Sequence, residues 1–160
     1  MIGEQPVPDP EPERWPEQLK EVARGMRAAI LAHRDIVELS LGRWPLGPNA
    51  LEWSERVLAI LRAGGVPDRL AVVGHHLLIS AVNGFTMDES AEPAPDDEMP
   101  LEQLAEMGRN YIASLPRDRF PNMVEVADHY TVVDPDERFE LLLDLFVDGL
   151  AQRAASESAS

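Results

Sequence analysis

Apolar residues recur at three- and four-residue spacing along most of this chain, and prolines, glycines and acidic clusters cut the pattern into segments. Leu19, Val22, Ala23, Met26 and Ile30 keep the spacing of one buried helix face. A helix is therefore expected from Trp15-Pro16, where proline suits a first turn, to about His33. Asp35 is placed to cap a short second helix, IVELSL, which an elbow from Gly42 to Pro48 stops. Pro48 heads a third helix with Leu51, Val57, Leu58 and Leu61 on one face, closed by Gly64-Gly65. The fourth opens at Pro67-Asp68 and runs through LAVVGHHLLISAVNGFTM, with apolar residues all round the cylinder; such a helix must be covered on every side.

The acidic, proline-broken stretch DESAEPAPDDEMP reads as a loop. Leu101, Leu104, Ala105, Gly108, Tyr111, Ile112 and Leu115 then mark a fifth helix, and PNMVEVADHY holds a shorter one. The last helix has the clearest start: Asp134 as N-cap, Pro135 at the first helical position and Glu137 in the capping-box position, followed by ERFELLLDLFVDGLAQR. No strand pattern competes, so the expectation is an all-α protein of about seven helices. Residues 1–14 read as a flexible, acidic, Pro-rich lead-in, 15–153 as one folded domain, and 154–160 as a disordered tail. The fourth and last helices carry more apolar surface than one small body can cover, and the surplus predicts a homodimer joined through a four-helix bundle.

Composition narrows the function classes. No cysteine is present, which removes disulfides, thiolate catalysis and Cys-ligated metals. The net charge of −15, with every charged residue from Asp88 to Glu106 acidic, repels phosphate backbones, so no direct nucleic-acid contact is expected. No uninterrupted run of eighteen apolar residues occurs and the first residues lack a basic, then apolar, leader; neither a membrane partner nor export is expected, and the cytoplasm is the default address.

The elbow and its flanks, HRDIVELSLGRWPLGPNALEWSERVLAILRAGGVPDRLAVVGHHLLISAVNGFTMDESA, resemble the C-terminal, effector-binding half of the tetracycline-repressor (TetR) family of transcriptional regulators. The features that carry the resemblance are His33-Arg34-Asp35, the Gly42-Arg43-x-Pro45 turn, the glycine after the third helix, Gly84-Phe85 followed by two acids, and the closing DPDERFELLLDLFVDGL. The resemblance covers roughly Trp15 to Arg153. The resemblance implies an all-helical dimer with a ligand pocket inside each subunit, and the start MIGEQPVPDP resembles the connector past a helix-turn-helix head, so that head is expected to be absent.

By the same resemblance the position that offers a polar amide to the drug in the tetracycline repressor is Val22, the aromatic one turn on is Met26, and the magnesium-binding histidine is Ser40. A magnesium–tetracycline chelate would thus lose its handles. Trp44 on the elbow, with Trp53, Arg56, Val57, His75, Ile79 and Asp88, is expected around the same cavity, which suits a flat apolar ligand with one or two polar groups. The alternative reading of Trp44 and Trp53 is that they are core anchors.

Metal and catalytic chemistry find little support. His75 and His76 are adjacent on a helix and point about 100° apart, with no partner ligand three or four residues away. Asp96-Asp97-Glu98 lacks the ligand spacing of a calcium loop, and no nucleophile elbow, zinc motif, P-loop or dinucleotide fingerprint occurs. Neither a metal, a cofactor nor a catalytic residue is expected, although Arg56, His75 and Asp88 would make an acid–base set if they converged. The reading is a dimeric ligand-sensing domain for a small hydrophobic effector. The alternatives are a headless protein repurposed to bind, sequester or transform a small molecule, and a dimerisation module with a filled interior.

Overall fold

The computed structural model describes residues 6–32, 48–91, 101–130 and 134–158. Among them are six α-helices and no strand: α1 (Trp15–Ala32), α2 (Pro48–Ala63), α3 (Asp68–Ala91), α4 (Leu101–Ala113), α5 (Pro121–Glu125) and α6 (Pro135–Ser158), with short 3-10 turns at Pro12–Arg14 and Ala127–His129. The all-helical expectation holds. The expected second helix, the elbow and the acidic run 96–98 lie outside the described residues.

Two compact units divide the chain, one formed by residues 1–90 and 139–160, the other by 91–138. The first holds the main core. Leu19, Val22, Ala23, Met26 and Ile30 from α1 meet Trp53, Val57, Ile60 and Leu61 from α2, Leu78 and Val82 from α3, and Phe139, Leu143 and Val147 from α6 in a single buried cluster. In α2 the buried row is 53, 57, 60 and 61, with Leu58 packed beside it; Val57, Leu58 and Leu61 lie on the expected face, and Leu51 does not, being more than half exposed. Two residues before Trp53 is about 200° round the helix, so a face centred on the large indole cannot include it.

The α2 end shows why the sequence needs two glycines there. Val66 N–H donates to Leu61 O at 3.1 Å and Gly65 N–H to Arg62 O at 3.0 Å, the paired bonds of a Schellman stop. Gly65 supplies the left-handed residue with φ +78°, and a Cβ on Gly64 would run into the Trp15 indole. Leu61 and Val66 are both buried, the apolar contact that accompanies this motif.

Helix α3 has two characters. Leu70, Ala71, Leu78 and Val82 face the core, whereas Val72, Val73, Leu77 and Met87 are exposed. Over Asp68–Ser90 it is long and apolar enough to cross a membrane by length and composition, as a core helix of a folded domain also is. Close approach explains one of its glycines: a Cβ on Gly74 would sit 3.1 Å from Leu150 Cδ1 of α6, while nothing lies within 4 Å of one on Gly84. Helix α6 is likewise split, with Phe139, Leu143, Val147 and Leu150 buried and Leu141 and Leu145 exposed.

Three cations on one stripe of α1 tie it to the other helices. Lys20 Nζ donates to Asp144 Oδ1 at 2.6 Å and Arg24 to both carboxylate oxygens of Glu140 at 2.7 Å, so α1 and α6 run antiparallel. Arg27 forks onto Glu89 of α3, Nε to Oε2 at 2.9 Å and Nη2 to Oε1 at 2.7 Å, and lies over the Phe139 and Phe85 rings.

The described part of the lead-in makes contacts: Val7 is buried, Gln18 accepts from Glu11 N–H at 2.9 Å and donates to Asp9 O at 2.7 Å, and Arg56 Nη1 donates to Val7 O at 3.3 Å. At the other end the helix continues to Ser158, through residues read as tail, because Ala154 packs into the core. Helix α6 starts as expected, with Asp136 N–H donating to Asp134 Oδ1 at 3.1 Å.

The second unit is thinner. Helix α4 packs against α5 and the following 3-10 turn, where Val124 and Ala127 are buried. Leu104 and Tyr111, expected on the packed face of α4, are exposed together with Met107, because 104, 107 and 111 form their own row beside the half-buried Ala105 and Ile112.

Candidate functional site

Helix geometry stacks residues four apart, so Trp53 and Val57 share one stripe of α2 and His75 and Ile79 one stripe of α3. The two stripes meet: the Trp53 and His75 rings lie 5.8 Å apart, tilted by 49°. Trp53 and Val57 are buried, while His75 and Ile79 are half-buried. Met26, 1% exposed, joins the same core from α1. Five of the residues expected around a cavity are thus members of, or packed on, one core in the first unit, with His75 as their polar member.

Burial holds the His75 imidazole below its ordinary pKa of 6.5, and the neighbouring His76 pushes in the same direction. The ring is therefore neutral at pH 7. Its Nε2 is buried and has no hydrogen-bond partner among the described residues. The other buried polar side chains of this unit are satisfied: Gln18 by the lead-in and Thr86 Oγ1 by Val82 O at 2.7 Å.

The remaining expected residues lie elsewhere. Arg56 and Asp88 are exposed, and Arg56 is engaged with Val7 O, so Arg56, His75 and Asp88 do not gather into an acid–base set. Ser40 and Trp44 lie outside the described residues. The His75 and His76 rings lie 6.0 Å apart with their planes at 88°, and no group of three metal-ligating side chains occurs among the described residues.

Sequence reasoning missed Gln18 and Arg27. Gln18 sits three residues after Trp15 on the buried stripe of α1, a phase signal that could have marked it. Arg27 belongs to a visible stripe with Lys20 and Arg24, but its partner is 62 residues away.

An all-helical chain in this order has the C-terminal fold of tetracycline-repressor-like proteins. The chain belongs to that family: residues 7–154 match the model described as Tetracyclin repressor-like, C-terminal domain. Among solved structures, apo ActR from Streptomyces coelicolor is 38% identical with a TM-score of 0.83, over 98% of this chain and 71% of that one. ActR in complex with actinorhodin is 39% identical with a TM-score of 0.82, and ActR in complex with (S)-DNPA 39% with 0.80, each over 96% of this chain and 71% of that one. No match is found among the curated proteins.

Proposed function

We propose that this domain binds a small hydrophobic effector in the core bounded by α1, α2 and α3, and that in a regulator carrying a helix-turn-helix head such binding controls DNA affinity. The observation that carries the reading is the contact between the Trp53 ring of α2 and the His75 ring of α3, whose buried Nε2 no described residue satisfies. The likeness to ActR, whose structures include complexes with actinorhodin and (S)-DNPA, supports it. Met26, Trp53, Val57, His75 and Ile79 are assigned to the lining, with Ser40 and Trp44 from the elbow. Arg56 and Asp88 are assigned to the entrance. Val22 and Met26 offer hydrocarbon and a thioether where a magnesium–tetracycline chelate would need polar handles, which favours an uncharged, metal-free ligand.

A ligand acts on such a domain by differential affinity for two arrangements of its helices. The protein works as a cytoplasmic homodimer in this reading, and the exposed Val73 and Leu77 on α3 and Leu141 and Leu145 on α6 are the apolar surface a partner copy would cover. Thermal unfolding with a panel of hydrophobic aromatic compounds, actinorhodin included, tests the binding claim. A ligand at a hundred times its Kd stabilises by ~2.7 kcal/mol, which raises Tm by roughly 5–10 °C for a chain of this size. If no compound in a broad panel moves Tm, the domain is a filled dimerisation module.

A further inference from the structure

Within the first unit, His75 Nε2 is a buried polar atom without a hydrogen-bond partner among the described residues. In the first unit Gln18 and Thr86 are the buried polar residues among those described, and both are bonded internally. The three α1 cations are ion-paired to Asp144, Glu140 and Glu89. An imidazole nitrogen shut away from solvent without a partner is unfavourable, and native proteins meet such atoms with a side chain, an ordered water or a ligand. A lone water is poorly suited here, because a buried water needs two to four polar partners, and beyond the Trp53 indole N–H the Val57 and Ile79 side chains add none.

We propose that His75 Nε2 is the polar recognition point of the effector site and that the effector class is a neutral aromatic molecule bearing a hydroxyl. This rests on the ligand-binding reading above. A hydroxyl can donate to a bare Nε2 or accept from Nε2–H, so it fits either tautomer. A carboxylate would be buried among apolar walls with no cation from the described residues free to meet it: Arg56 is exposed and Arg27 is engaged with Glu89. The aromatic body is indicated by the Trp53 ring, against which His75 is tilted.

Naphthalene and 2-naphthol are the probes, with binding to the full chain measured by calorimetry. The expected result is that 2-naphthol binds about tenfold more tightly than naphthalene, and that His75→Phe abolishes the difference between the two. His75→Gln, which keeps a hydrogen-bonding group, restores part of it. On the unaltered protein, the ¹⁵N shift of His75 Nε2 should move on adding 2-naphthol and stay still with naphthalene, a readout that survives even if a variant fails to fold. Equal binding of the two probes with an unmoved Nε2 resonance overturns the role of His75 and leaves the hydrophobic site standing. Failure of both probes to bind overturns both.

Discussion

Arg27 offers the sharpest energetic test of the packing that frames the site. Its guanidinium forks onto Glu89 with donor–acceptor distances of 2.9 and 2.7 Å, and its Cζ lies 4.8 Å from the Phe139 centroid and 5.7 Å from that of Phe85. The side chains are 12% and 15% exposed, so the pair is largely removed from water but still touches it. Arg27→Met keeps the stem and strips the charge, leaving the Glu89 carboxylate without its fork. Breaking a fully buried pair costs about 3–5 kcal/mol; the residual solvent contact lowers this to roughly 2–3 kcal/mol, which includes the lost cation–π contact. Glu89→Leu should cost about as much, and the double variant should cost about 1.5–2.5 kcal/mol less than the sum of the two single losses, which is the coupling between them. Urea unfolding of the four proteins, with unchanged m-values, measures this. A loss below about 0.5 kcal/mol in Arg27→Met, or a coupling indistinguishable from zero, would refute the claim that this pair fastens α1 to α3.

Gly64→Ala should destabilise by about 1–3 kcal/mol in denaturant unfolding, because the new Cβ meets the Trp15 indole, and the penalty should shrink in a Trp15→Leu background. Between pH 6.5 and the lower folded pKa of His75, stability should fall as pH falls, since the unfolded imidazole takes a proton that the buried one resists; His75→Gln removes that slope from a pH series of unfolding curves. The Arg24 hydrogen bonds hold the Glu140 carboxyl below its ordinary 4.5, so its contribution is present above that pH and fades below it, and Glu140→Gln flattens that lower window. Leu145→Glu, at a position 66% exposed, should split the proposed dimer in sedimentation velocity without changing the far-UV circular dichroism of the monomer.

How far the chain could be read before folding differs from element to element. Helix α1 is marked by its three- and four-residue spacing, and α6 by its Asp134-Pro135 start, because both signals are local. The buried stripe of α2 is marked in part: Val57, Leu58 and Leu61 hold to it, but Leu51 and Trp53 are both apolar and only packing of the larger ring decides between them. In the lead-in the contacts of Val7, Asp9 and Glu11 are not local either: its composition is that of a loose segment, and Gln18 and Arg56, on two different helices, bond to its backbone. In the candidate site, Trp53 and His75 are 22 positions apart and nothing local brings them together; the register between α2 and α3 does. The pairing of Lys20 with Asp144 across 124 residues is of the same kind.

The central claim is that a ligand enters the core beside Trp53. The chain has three tryptophans, Trp15, Trp44 and Trp53, and Trp15 packs near the C-terminal end of α2, roughly 16 Å along the helix from Trp53. Fluorine NMR of protein labelled with 5-fluorotryptophan, titrated with actinorhodin, therefore reads the location of binding in one spectrum. The account predicts a saturable shift of the Trp53 resonance at one ligand per chain, with Trp15 unmoved. A Trp53 resonance that stays fixed while ligand binds, or while none does, would contradict it.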